Sequence, residues 1–161
     1  MACWSEIVAE QPDLAERALA RFDAGKHKTI ATVRADGSPR ISGIEADVVA
    51  GDLWFGSMLG ARKAADLIRD PRFALHSASD ASDWEGDAKL SGRAVEIGEG
   101  PEFDAYLAAR AGDGEPDPPG RFHLFRAEIA ELVLIGLNEA RTKMVIEHWA
   151  EGRGLRRIER D

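Results

Sequence analysis

Arg62 and Lys63 stand side by side where a strand gives way to a helix, and two cations at such a junction can hold a phosphate. The strand is Asp52-Leu53-Trp54-Phe55-Gly56-Ser57, the turn is Met58-Leu59-Gly60-Ala61, and the helix, with Ala64, Leu67 and Ile68 on its apolar face, continues to Asp70, where Pro71 ends it. The first backbone N–H groups of a helix have no partner inside it, so an anion there gains their hydrogen bonds, the helix dipole and the neighbouring side-chain charges. The same pair on a solvated helix face would do no chemistry, and residue type alone leaves both readings open.

Other arrangements carry less. His27, His76, His123 and His148 are far apart, and none has a second His or a Cys at ligand spacing, so no metal site is assigned. Ser57, Ser77 and Ser91 lack the sharp glycine elbow of a hydrolase nucleophile. Neither a Walker phosphate loop nor the dinucleotide glycine fingerprint occurs. Asp83, Glu85 and Asp87 alternate beside Trp84 and read as a solvated loop.

The chain must bring elements to that junction. Its 161 residues fit one domain, 1–161, with enough length for a core without staples. A formal charge of −8 argues against nucleic acid or an anionic membrane surface, which leaves small molecules or a second copy of the chain as partners. Cys3 is the only cysteine, so no internal disulfide forms, and a reducing cytoplasm fits. No apolar run approaches the ~20 residues of a membrane helix, and Glu6, Glu10 and Asp13 stand where an export signal would be basic and then apolar.

Pro12, then Leu14, Ala18, Leu19 and Phe22 at helical spacing, predict an opening amphipathic helix over 12–24, with Gly25 as its stop. Period-two alternation from His27 to Arg34, a turn at Asp36-Gly37-Ser38-Pro39 and a return from Arg40 to Val49 predict a hairpin. The strand before the basic pair is third, and Arg72–Ser77 is fourth. Asp87–Ile97 reads as a long strand in which Gly92 marks a bulge. A second amphipathic helix is expected from Pro101 to Arg110, then a mobile acidic loop over 112–120 with no residue to bury. Phe122–Leu137 reads as two strands broken near Ala127 to Glu131, and Met144–Trp149 as a last one. Successive strands with few inserted helices predict a mainly β, antiparallel barrel.

The segment Gly56-Ser57-Met58-Leu59-Gly60-Ala61-Arg62-Lys63-Ala64, followed by Leu67 and Asp70-Pro71-Arg72, resembles the phosphate segment of the pyridoxamine 5′-phosphate oxidase-like superfamily. The hairpin turn Asp36-Gly37-Ser38-Pro39-Arg40 and the strand Lys89-Leu90-Ser91-Gly92-Arg93-Ala94 are similar to that family as well, and the likeness runs from about Ala15 to Trp149. The resemblance implies a six-stranded antiparallel split β-barrel, with helices inserted, that binds FMN or the deazaflavin F420 in a groove of a homodimer. Carried over, Arg62 and Lys63 hold the cofactor phosphate, Ser57 adds a hydroxyl, and Arg40, Ile41 and Ser42 run beside the ring and ribityl chain. Trp149 and Arg156 resemble the C-terminal Trp and Arg of the oxidase, in a segment that would pack near the partner's cofactor.

Two departures bear on activity. Glu45 stands where the family oxidase has a Lys near the ring, and Ile158 stands where an Arg-x-His motif would supply a substrate-binding His. The resemblance therefore points away from the pyridoxamine phosphate oxidase and toward its FMN- or F420-dependent reductase relatives, with no side chain assigned as a catalyst. The other class is a non-catalytic flavin, F420 or haem protein, or a haem-degrading relative, which would need an axial His in the groove.

Overall fold

A computed structural model describes residues 1–78, 84–112 and 121–161. In chain order the elements are α1 (Trp4–Glu10), α2 (Pro12–Asp23), β1 (His27–Val33), β2 (Pro39–Val49), β3 (Asp52–Met58), α3 (Arg62–Arg69), β4 (Arg72–His76), β5 (Asp87–Ile97), α4 (Pro101–Gly112), β6 (Phe122–Leu137), β7 (Met144–Ala150) and β8 (Gly154–Arg160). The strands form one antiparallel sheet in the order β3-β2-β1-β4-β5-β6-β7-β8. β3 also pairs with β6, from Trp54↔Arg126 to Met58↔Phe122, and this closes six strands into a barrel. β7 and β8 extend from the distal half of β6.

The closure is incomplete, and the gap positions the site. β2 pairs with β3 only from Ala46↔Phe55 to Val49↔Asp52, whereas Pro39 to Glu45 pair with β1 alone. Past Phe55, β3 leaves β2 and stays on β6, so the barrel splits beside the first half of β2. α3 follows directly and packs on β1 and β3 at the split.

Period-two alternation on β1 turns Lys28, Ile30 and Thr32 inward, all at 3% exposure or less. Ile30 joins Phe55, Leu75, Leu90, Phe125, Ala127, Ile129 and Trp149 in the main core, which α2 seals with Leu14, Ala15, Ala18 and Phe22. Burial of each large side chain of this kind stabilises by about 1.5–3 kcal/mol. A smaller core lies under α4, where Tyr106 packs on Trp54 at 5.1 Å between ring centroids, with Val49 and Leu124.

Four expectations are corrected. β6 is one continuous strand; it bends without breaking because Ala130 bulges opposite Ser91 and Gly92, so Ser91 pairs with Glu131 and Gly92 with Ile129. α1 exists because Trp4 and Ile7 bury one face and Glu6 caps its first turn through the Cys3 N–H. β8 exists because Gly152 and Gly154, at φ 71° and 70°, reverse the chain after β7. Ile68, expected on the apolar face of α3, is 53% exposed, and Asp66 is buried instead. Residues 113–120 of the expected acidic loop, and Asp83, lie outside the described residues; Gly112 ends α4. Among the described residues no helix is long and apolar enough to cross a membrane.

Candidate functional site

The basic pair diverges as α3 begins. Gly60 takes φ +78° in the turn, and Ala61 enters the helix with no side-chain cap. Lys63 swings toward β2, where Nζ donates to the Gly43 carbonyl at 2.5 Å. Half-burial there lowers its pKa below the usual lysine value. Arg62 is exposed, makes no hydrogen bond or ion pair among the described residues, and lines a hollow of about 290 Å³ with Arg34, Arg40 and Arg69.

The floor of that hollow is Asp66, only 3% exposed. Its carboxylate accepts from Thr32 Oγ1 at 2.9 Å, Arg40 Nε at 2.6 Å and Arg69 Nη2 at 3.3 Å. Burial by itself would raise the Asp66 pKa; the bonds from Arg40, Thr32 and Arg69 outweigh it and hold the carboxyl below the usual range. Arg69 also donates to the Val33 carbonyl. With Asp36 tied to Ser38, the four arginines outnumber the two carboxylates of the hollow, which leaves it cationic.

Ser57 lies on β3, past its pairing with β2 and five residues before Arg62. It is 5% exposed, and its Oγ has no hydrogen-bond partner among the described residues. A buried hydroxyl with nothing to bond is costly unless a ligand completes it. An anion between Ser57, Lys63 and Arg62 would do so, and these residues therefore fit a phosphate-bearing cofactor. Along the unpaired stretch of β2, Arg40 faces Asp66, Ile41 is 75% exposed and Ser42 is half-buried. Arg40 is thus held by a carboxylate through Nε, a contact that its placement beside a ring does not include.

At the other end of β2, Glu45 borders a pocket of about 460 Å³ with Asp23, Lys26, Lys28, Asp47 and Arg110. Lys28 points inward at 3% exposure, with Nζ 3.4 Å from the Lys26 carbonyl and 4.0 Å from Asp47 Oδ1. Arg110 Nη1 donates to Asp47 at 3.3 Å and to the Tyr106 hydroxyl at 3.1 Å. Burial raises the Asp23 pKa, against the Lys28 charge. Glu45 itself lies 3.6 Å from Lys26 and 3.8 Å from His27.

The chain gathers Arg40, Ile41, Ser42, Ser57, Arg62 and Lys63 around the split, and it does not bring Trp149 and Arg156 there. Trp149 is 1% exposed and packs within the main core of its own barrel, with Nε1 buried and unpartnered among the described residues. Arg156 is exposed on β8 opposite His148, at the far end of the sheet order. The residues that sequence reasoning missed are Thr32, Asp66, Lys28 and Arg110. Lys28 and Thr32 had a signal, since each occupies an inward position of β1 where an apolar residue belongs.

Comparison with known proteins matches the family model described as pyridoxamine 5′-phosphate oxidase over residues 14–135. None of the curated proteins matches in sequence. A pyridoxamine 5′-phosphate oxidase-related, FMN-binding protein of Nostoc punctiforme is similar in structure, with a TM-score of 0.63 at 14% identity over 100% of this chain and 98% of that one. PhzG of Burkholderia lata, in complex with tetrahydrophenazine-1-carboxylic acid, gives 0.61 at 18% identity over 98% and 93%. A haem-binding protein of Mycobacterium smegmatis gives 0.60 at 22% identity over 92% and 59%. The matched segment contains both β2 and the Ser57–Lys63 junction, and the chain belongs to the pyridoxamine 5′-phosphate oxidase-like family of FMN-binding split barrels.

Proposed function

We propose that the chain is an oxidoreductase in which a bound flavin, FMN or its deazaflavin relative F420, exchanges a hydride with a small organic substrate. The observation that carries this reading is Ser57, a buried hydroxyl with no hydrogen-bond partner among the described residues, on the end of β3 that leads into Arg62 and Lys63. The cofactor would supply the hydride chemistry; the protein supplies binding, orientation and exclusion of water. Ser57, Arg62 and Lys63 would hold the phosphate, Arg40 would lend charge from the cationic hollow, and Ile41 to Gly43 would lie along the flat ring.

The pocket at Glu45 would then take the substrate. Its lining sets the cations Lys26, Lys28 and Arg110 among the carboxylates Asp23, Glu45 and Asp47, which would suit a polar substrate with groups of both signs. Glu45 places negative charge near the ring end of β2, which would not favour anionic reduced flavin. The reading includes a homodimer, supported by the exposed apolar side chains Ile41 at 75%, Met58 at 79% and Leu59 at 56% along the split. Arg156 and the C-terminal strand would approach the partner's groove.

The absorption spectrum of freshly purified protein, followed by titration with FMN, F420 and haem, tests this. Binding of FMN or F420 with a bleachable chromophore, reoxidised by an added acceptor, is expected. A Soret band with no flavin binding would replace it with the haem reading.

A further inference from the structure

A further pocket, of about 450 Å³, opens between Leu59 of the β3–α3 turn, the end of β5, α4 and the start of β6. Ile97, Phe103, Leu107 and Phe122 line it as an apolar wall, with Leu59 at its edge. Phe103 and Phe122 lie 5.4 Å apart at 38°, a tilted aromatic pair. The wall is continuous with the small core under α4, so its shape is set by packed elements.

One group at this pocket has chemistry. His123 Nδ1 lies 2.7 Å from Glu96 Oε1, and the ring stacks on Phe125 at 6.2 Å. A carboxylate only accepts, so the imidazole proton sits on Nδ1, and in the neutral ring Nε2 carries the lone pair. Among the described residues Nε2 has no hydrogen-bond partner, although the side chain is only 22% exposed. Glu96 fixes the ring's tautomer and orientation, as carboxylates do for functional imidazoles. The remaining charges at the pocket, Arg121 and Glu99, pair with each other at 3.0 Å.

We infer that this pocket is a ligand site for a planar aromatic molecule with one O–H or N–H donor, which slots against Phe103 and Phe122 and donates to His123 Nε2. Its volume falls in the ordinary range for small-molecule sites, and a mostly apolar wall with one directed polar group is how such sites select orientation. Ser57 is the register partner of His123 on the neighbouring strand, so this pocket lies beside the β3–α3 junction, and it shares no lining residue with the Glu45 pocket. The two pockets are separate.

The test uses the protein without cofactor and two probes, 2-naphthol and naphthalene, which differ in the donor alone. Calorimetry is expected to show naphthol binding about tenfold tighter than naphthalene, the effect of one hydrogen bond in a desolvated site. His123→Phe should keep naphthalene affinity and abolish the preference. Glu96→Gln should weaken it, because an amide no longer dictates the tautomer. Phe103→Ala should lose both probes. Long-range nitrogen NMR of His123 should show Nδ1 protonated and Nε2 shifted by naphthol but not by naphthalene, a response that a structural His–Glu pair would not give. Amide spectra check the fold of each variant. Equal affinity for the two probes, an Nε2-protonated ring, or no binding by folded wild-type protein at millimolar probe would each overturn the inference, without touching the flavin reading.

Discussion

Arg62 and Lys63 are neighbours in sequence, yet replacing each by alanine should have different consequences. Arg62 has no hydrogen bond or ion pair among the described residues and is exposed, so Arg62→Ala should leave thermal stability unchanged. Lys63 is half-buried and donates to the Gly43 carbonyl, so Lys63→Ala should cost about 0.5–1.5 kcal/mol of stability, the net value of one hydrogen bond. Toward a phosphate both act as charged donors. Each loss should then cost about 1.5–3 kcal/mol of affinity, or roughly ten- to 150-fold in Kd. The double variant should lose about two to four orders of magnitude, less where the remaining cations of the hollow compensate. Fluorescence titration with FMN measures this, and riboflavin, which lacks the phosphate, is the control. Riboflavin affinity should barely move in Arg62→Ala. Equal losses for both ligands would show that the pair acts through the fold, and unchanged FMN and F420 binding would refute the phosphate site.

Asp66→Asn should destabilise by about 2–3 kcal/mol at neutral pH, below the 3–5 kcal/mol of a wholly buried pair because Arg40 and Arg69 keep some water. Because the folded Asp66 pKa is depressed, its contribution is complete above the ordinary aspartate value of about 3.9 and is lost as pH falls through the folded one, so urea midpoints of wild type and variant should converge at acid pH; a constant gap would contradict this. Trp149→Ala should cost about 3–5 kcal/mol as a core truncation, while Trp149→Phe should fold and bind FMN as wild type does, and a selective loss of FMN would return Trp149 to the site. Gly92→Ala should destabilise by at least about 1–3 kcal/mol, since its Cβ would meet the Glu128 carbonyl oxygen at 2.0 Å; thermal melts unchanged within error would mean that the bulge yields.

What was legible in the sequence was local. α2, the β1–β2 hairpin, the β3–α3 junction and the bulge at Gly92 each rest on residues adjacent in the chain, and each is found where its pattern puts it. The continuity of β6 was not legible, because Ala130 bulges only in answer to the register of β5, 39 positions away at Ser91. The missed half of the site has the same cause. Thr32 and Asp66 come from two elements and acquire meaning only when α3 folds across the barrel end, where a carboxylate in an amphipathic helix finds an inward threonine and the already assigned Arg40 across the hairpin. Ile68 was misplaced by the same step, since an apolar residue was taken to face the core and the polar one water. The core of this barrel reverses that choice at Asp66. Three donors there stabilise a buried charge well enough to hold α3 in place, and α3 held in place is what sets Arg62 and Lys63 at the mouth of the split. The buried polar cluster and the exposed basic pair are therefore two ends of one helix: the first fixes where the second points.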